Sequence, residues 1–151
     1  MNDAYGVHRK DVLKGDAVAF MDEIKWDANG LVPMVLQDEE TRDVLMVAWT
    51  NAEALKATIE TGLCHFWSRS RKKFWKKGES SGHVQVVKEL WFDCDVDTIV
   101  AIVEPKGPAC HMGYRSCFFR KLEPLSVEGT LSVEGEPEFD PCDVYGDQAK
   151  G

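Results

Sequence analysis

The sequence predicts an α+β domain that is mainly β, small, single and with one clear helix. Three observations lead there. Apolar runs are separated by short charged segments, β-branched residues crowd the second half of the chain, and a single window shows helical spacing between a cap and a glycine stop. At 151 residues with 44% hydrophobic side chains, the chain can bury one core and has no room for a second large domain.

Residues 1–30 are mixed and polar, end in the turn signal Asn29-Gly30, and read as a lead-in. The apolar runs 31–37 and 44–49 flank Asp38-Glu39-Glu40-Thr41-Arg42-Asp43, the pattern of a hairpin with a charged loop. Thr50 opens a capping box with Glu53, and Ala54, Leu55, Thr58 and Ile59 repeat at helical spacing. Gly62 then stops a helix predicted over 51–61. Residues 63–68 form the next strand, leading into a run over 68–77 with six basic residues, no acid, and Phe74 and Trp75 interleaved. Gly78-Glu79-Ser80-Ser81-Gly82 is a loop of small residues. Strands follow from Val84 and Thr98, then a Gly/Pro-containing loop over 105–114 and the short apolar piece Cys117-Phe118-Phe119. Over residues 121–151, Leu-Ser-Val-Glu-Gly occurs at 125–129 and again at 131–135, and eight acids face two lysines. The division is therefore a lead-in at 1–30, a domain at 31–120 and an acidic, flexible tail at 121–151, the repeat being a duplication without function. The tail is expected to be dispensable for turnover.

A formal charge of −8 disfavours general nucleic-acid binding, yet residues 31–120 hold twelve acids and twelve bases, so the excess lies at the ends. No apolar run approaches the ~20 residues of a membrane span, and Met1-Asn2-Asp3-Ala4-Tyr5 lacks the order of a signal peptide, so a cytoplasmic protein with no membrane partner is expected. Five cysteines, an odd number, argue for metal or catalytic thiols over a disulfide framework.

Three of those cysteines lie near three aspartates: Asp93-Cys94-Asp95-Val96-Asp97, then Cys110 and Cys117. Thiolates suit zinc and closely spaced carboxylates suit a hard ion such as magnesium. If residues 93–97 are extended, the aspartates share one face and Cys94 points to the other. An EF-hand loop is the rival, with Asp93, Asp95, Asp97 and Glu104 in ligand positions, but Thr98 stands where its turn needs glycine. Zinc held by Cys94, Cys110 and Cys117 with an open fourth position would be catalytic, because water bound there ionises near neutral pH. Free cysteines are equally familiar as small buried hydrophobes, so spacing alone leaves both readings open. His111, beside Cys110, is a candidate proton shuttle or fourth ligand. His65 is a second candidate, whereas His8, Cys64 and Cys142 read as bystanders. The basic run with its aromatics fits a discrete anionic ligand, and the glycines and serines of 78–82 add phosphate donors.

Four linked motifs, Ser68-Arg69-Ser70-Arg71, Trp75-x-Lys77-Gly78-Glu79-Ser80-Ser81-Gly82-His83-Val84-Gln85, Asp93-Cys94-Asp95-x-Asp97 and Ala109-Cys110-His111-x-Gly113-x-Arg115-Ser116-Cys117-Phe118, closely resemble phosphoribosyl-AMP cyclohydrolases over about residues 30–120. The resemblance implies an intertwined homodimer and the third step of histidine biosynthesis, hydrolytic opening of the adenine ring of 1-(5-phosphoribosyl)-AMP between N1 and C6. It further implies one zinc per subunit on Cys94, Cys110 and Cys117, drawn from both chains, and magnesium on Asp93, Asp95 and Asp97. His111 and His65 are then the catalytic candidates. Arg69, Arg71, Trp75, Lys77, Gly78, Glu79, Ser80, Ser81, Gly82 and Arg115 are the substrate-binding ones. Ser80 stands where relatives often have threonine, and Lys72, Lys73 and Lys76 make the loop more basic than the motif requires. The residues after Lys121 are too few and too polar for the pyrophosphohydrolase domain fused in some relatives, so one activity is expected. The competing class is a zinc-stabilised nucleotide- or RNA-binding module without catalysis, with four protein ligands and no open position.

Overall fold

A computed structural model describes residues 16–145. The elements run α1 (Ala17–Met21), β1 (Val32–Asp38), β2 (Val44–Thr50), α2 (Ala52–Thr61), β3 (His65–Ser68), β4 (Lys73–Lys76), β5 (Gln85–Phe92), β6 (Ile99–Pro105), β7 (Arg120–Glu123), β8 (Thr130–Val133) and α3 (Pro141–Tyr145). The mainly β architecture is as the sequence predicts. A four-stranded sheet in the order β2-β1-β6-β5 forms the centre, with β1 parallel to β6 and the other pairs antiparallel. Hairpins β3–β4 and β7–β8 flank it.

Alternation along β1 drives the packing. Val32, Met34 and Leu36 point inward and meet Ile99, Ala101 and Val103 of β6, with Leu45, Leu55, Phe66 and Val96 closing the core. Each such side chain contributes about 1.5–3 kcal/mol on full burial. The next inward position is Asp38, a buried carboxylate that demands a partner.

Helix α2 begins one residue later than the capping box predicts. Asn51, with φ −123° and ψ 179°, is the cap, and its side chain accepts from the Ala54 N–H at 2.8 Å. Thr50 is the buried last residue of β2, and its hydroxyl donates to the Asn51 carbonyl at 3.4 Å. Gly62 ends the helix at φ 73°, as expected. Ile59 is a correction: it is 44% exposed, and the buried face is Ala54, Leu55 and Thr58. The Thr58 hydroxyl accepts from the His65 N–H at 2.9 Å and donates to Ala54 O, pinning the helix to β3.

Residues 93–97 are a turn joining β5 to β6, not an extended strand. Asp93 Oδ1 accepts from the Asp97 and Thr98 N–H groups at 2.9 and 3.2 Å, and Val96 adopts φ 59° while packing into the core. The alternate-face arrangement is thereby replaced by a folded loop.

Both ends of the described chain make contacts with the body of the domain. Ile24 joins the core and Phe20 meets Phe92 edge-on at 4.6 Å. The two copies of the repeat differ, one lying in the β7–β8 connection and the other supplying β8. Past β8, the Glu134 N–H donates to Phe119 O and the Glu138 N–H to Gly113 O, both at 2.7 Å, while Phe139 packs on His83. The acids are exposed, but the aromatics between them return the segment to the body. His8 lies outside the described residues. No helix among the described residues is long and apolar enough to cross a membrane.

Candidate functional site

At the end of the sheet where β6 finishes, three segments meet around a cleft of about 330 Å³: the β3–β4 hairpin with its following turn, the 109–117 loop, and α3. The hairpin carries the basic run, and residues 77–81 form the turn after it. Arg71, Trp75 and the turn residues Gly78, Glu79, Ser80 and Ser81 line the cleft, facing His111 and Cys117. Gly78 at φ 87° lets the turn close, its carbonyl accepting from the Gly82 N–H at 2.8 Å. Trp75 packs on Phe66 with ring centroids 5.1 Å apart, so it is held by the core while lining the opening.

Lys77 faces inward. It is 8% exposed, its Nζ donates to the Ala109 carbonyl at 2.5 Å, and its N–H bonds Cys64 O. Burial pushes its pKa down, opposed by the charges of Cys117, Cys110 and Cys64 around it. Cys64 is fully buried, with its thiol pushed up to about 12 by burial. Cys110 and Cys117 share a side-chain hydrogen bond, and the Met112 N–H points at Cys110 Sγ from 3.5 Å. Although much of Cys117 is solvent-accessible, its thiol is desolvated and pushed up to about 11, so without a cation it stays protonated at neutral pH. Two adjacent thiols with an N–H pointing at sulfur fit a soft metal ion, whose binding would release their protons.

The third predicted zinc ligand is elsewhere. Cys94 sits exposed on the β5–β6 turn, at the opposite end of that hairpin from Cys110. Eight residues of β5 at ~3.3 Å each separate the two ends by roughly 25 Å. On the same turn, ligand atoms of Asp93, Asp95 and Asp97 lie within 4.8 Å of one another. Asp97 is pushed up chiefly by its hydrogen bond to Asp93. Burial pushes Asp93 up too, but bonds from Asp97 and from two backbone N–H groups hold it below the usual carboxylate range. Crowding of carboxylates on one turn is the situation a bound divalent cation relieves.

Other predicted site residues do not line the cleft. His65 is buried, its Nδ1 2.7 Å from Leu63 O and its ring stacked on Phe74 at 5.2 Å, so it braces the hairpin. Arg69 lies over Trp49, 4.5 Å from the ring centroid, in a neighbouring depression that shares Arg71 and Trp75 with the cleft. Gly82 closes the turn without lining it. Arg115 forms ion pairs with Asp38 and Asp43 and bonds Thr41 Oγ1 at 2.6 Å, tying the 109–117 loop to the β1–β2 hairpin. That also answers the buried Asp38. Sequence reasoning missed Tyr145, which lines the cleft from α3. Nothing local in an acidic segment announces such a contact.

The family profile for Phosphoribosyl-AMP cyclohydrolase matches residues 46–119. A protein of that name from Methanococcoides burtonii is 55% identical over 125 residues, covering 83% of this chain and 98% of the relative. One from Methanosarcina acetivorans is 54% identical with the same coverage, and one from Chlorobaculum tepidum is 48% identical over 132 residues, 87% of this chain and 93% of the relative. The matched span contains the basic hairpin, the glycine turn, the aspartate turn and the thiol loop, and the chain belongs to the phosphoribosyl-AMP cyclohydrolase family.

Proposed function

We propose that this chain hydrolyses the N1–C6 bond of the adenine ring of 1-(5-phosphoribosyl)-AMP, giving the phosphoribosyl-formimino aminoimidazole carboxamide ribotide in histidine biosynthesis. The observation that carries the reading is one cleft in which a turn of glycine and serines, Gly78 to Ser81, faces His111 and Cys117. Arg71 and the donors of Gly78, Ser80 and Ser81 suit a substrate phosphate, and Trp75 offers a face on which the base can stack. His111, exposed at the cleft, is placed to carry the proton that the departing N1 must gain. Zinc on Cys110 and Cys117 with Cys94 would supply the acidified water that hydrolysis at C6 needs. Magnesium on Asp93, Asp95 and Asp97 completes the reading.

A second copy of the chain best supplies the missing ligand. The strand length keeps Cys94 away from Cys110 within one chain, and large apolar side chains are exposed beside both donor groups, Trp91 near Cys94 and Phe118 next to Cys117, each 61% exposed. The test is turnover of phosphoribosyl-AMP, followed by ultraviolet absorbance of the ring-opened product, alongside metal analysis. Zinc-loaded protein without turnover would sink the enzymatic reading. Cys94→Ser and Cys110→Ser chains, each inactive, should recover activity when mixed, because one intact site forms per heterodimer. No recovery would argue for sites within one chain.

A further inference from the structure

We propose that Lys77 is a positioning residue for the zinc thiolates, balancing their charge and fixing their loop, and that it does not bind substrate phosphate. The inference rests on the zinc reading above. In sequence Lys77 is one of six cations in a basic run, indistinguishable from a phosphate ligand. In the fold it parts company with them. Of the other cations in the run, Arg69, Arg71, Lys72 and Lys73 are exposed and Lys76 is half-buried, whereas Lys77 is 8% exposed with its ammonium on the Ala109 carbonyl, immediately before Cys110.

The surroundings fix what this buried charge is for. Its electrostatic neighbours are Cys117, Cys110 and Cys64, and no carboxylate is among them. A buried ammonium needs an anion close by, and among the described residues the ionisable groups acting on it are thiols. Of these, Cys64 is fully buried behind the hairpin and stays a neutral thiol, which leaves the Cys110 and Cys117 pair. Zinc with three thiolates carries a net charge of −1, and one ammonium neutralises it. The hydrogen bond to Ala109 adds geometry: it holds the backbone that enters the thiol loop, which the Arg115 N-side contacts also close through Ala109 N–H to Arg115 O at 3.1 Å. Lys77 borders the cleft and its ammonium keeps two donors beyond the Ala109 bond, so zinc affinity and KM together separate a role toward the thiols from one toward phosphate.

Two variants separate the roles. Lys77→Gln keeps a donor but removes the charge, and Lys77→Met removes both. Zinc affinity is measured by competition with a chromophoric chelator, and KM and kcat by absorbance. Loss of a group that supports the ligands typically weakens metal binding about 10–100-fold, so that range is expected for both variants, with KM for phosphoribosyl-AMP at saturating zinc within about threefold of wild type. If Lys77→Met does not fold, Lys77→Gln decides alone. Unchanged zinc affinity with a raised KM would make Lys77 a phosphate ligand and overturn the proposal, as would no change in either. Failure of the wild-type protein to bind zinc would instead sink the metal reading itself.

Discussion

Gly78→Ala should disable the cleft, and Gly82→Ala is its control. Both glycines have positive φ, +87° and +79°, so the left-handed cost of an alanine, about 1–2 kcal/mol, is common to the two. Their surroundings differ. A Cβ on Gly82 meets nothing within 4 Å, whereas on Gly78 it would lie 2.5 Å from Val84 N, 2.6 Å from the His83 carbonyl carbon and 2.8 Å from Val84 Cα. All three are backbone atoms, so no rotamer change relieves the overlap, and the turn must open by about 0.9 Å to regain an ordinary 3.4 Å contact. That movement strains the bonds from Gly82 N–H to Gly78 O and from Val84 N–H to Gly82 O, and carries Ser80 and Ser81 away from the cleft. A misplacement of ~1 Å can cost about 100-fold in rate. Gly78→Ala should therefore lose roughly that in kcat/KM, while Gly82→Ala loses only stability, a melting temperature lower by about 2–8 °C. Steady-state kinetics by absorbance and thermal melts on both variants provide the comparison. Equal kcat/KM values for the two, within about threefold, would refute the claim that the close approach of Gly78 to the 83–84 backbone shapes the site.

Two further outcomes can be checked directly. Asp38 is pushed up by burial but held below its usual 3.8 by the Glu40 N–H and Arg115, so its stabilisation is present above that value and disappears as pH falls through the lower folded pKa. Arg115→Met should make acid unfolding, followed by circular dichroism, begin at higher pH, and an unmoved acid transition would mean the ion pair contributes nothing. Truncation after Val133 removes Phe139 from His83 and Tyr145 from the cleft wall, so KM should rise several-fold with a smaller change in kcat, reversing the expectation that the tail is dispensable. Wild-type kinetics in the truncated protein would restore that expectation.

What the sequence revealed followed the range of each interaction. β1 and α2 were legible because an apolar run ending at a charged loop and a cap-to-glycine helical window are local signals, and the one-residue error at the cap arose where Thr50 and Asn51 are both good capping residues. The aspartate cluster was found with the wrong backbone. An Asp-x-Asp-x-Asp spacing brings carboxyls together on a strand or around a turn, and the turn used here needs Val96 at φ 59°, a conformation that a β-branched residue adopts only when its surroundings impose it. Tyr145 and Phe139 act on residues far away in sequence, and eight acids hid them. Arg115 was identified as an important arginine, but its carboxylates, Asp38 and Asp43, are more than seventy positions away.

The basic run shows how a fold divides what composition merges. Six cations within ten residues look like one electrostatic patch. The β3–β4 hairpin sorts them: Arg69 goes to Trp49, Arg71 to the cleft beside Trp75, Lys73 stays in solvent, and Lys77 turns toward the thiols. Gly78, directly after Lys77, reverses the chain so that the next donors face the cleft. Adjacent residues thus border one cleft in different ways, Lys77 with its ammonium on the carbonyl that enters the 109–117 loop and Gly78 to Ser81 through the turn itself. Any displacement of one reaches the other through a single peptide bond, which ties the 78–81 turn to the 109–117 loop more closely than residues contributed by separate elements would.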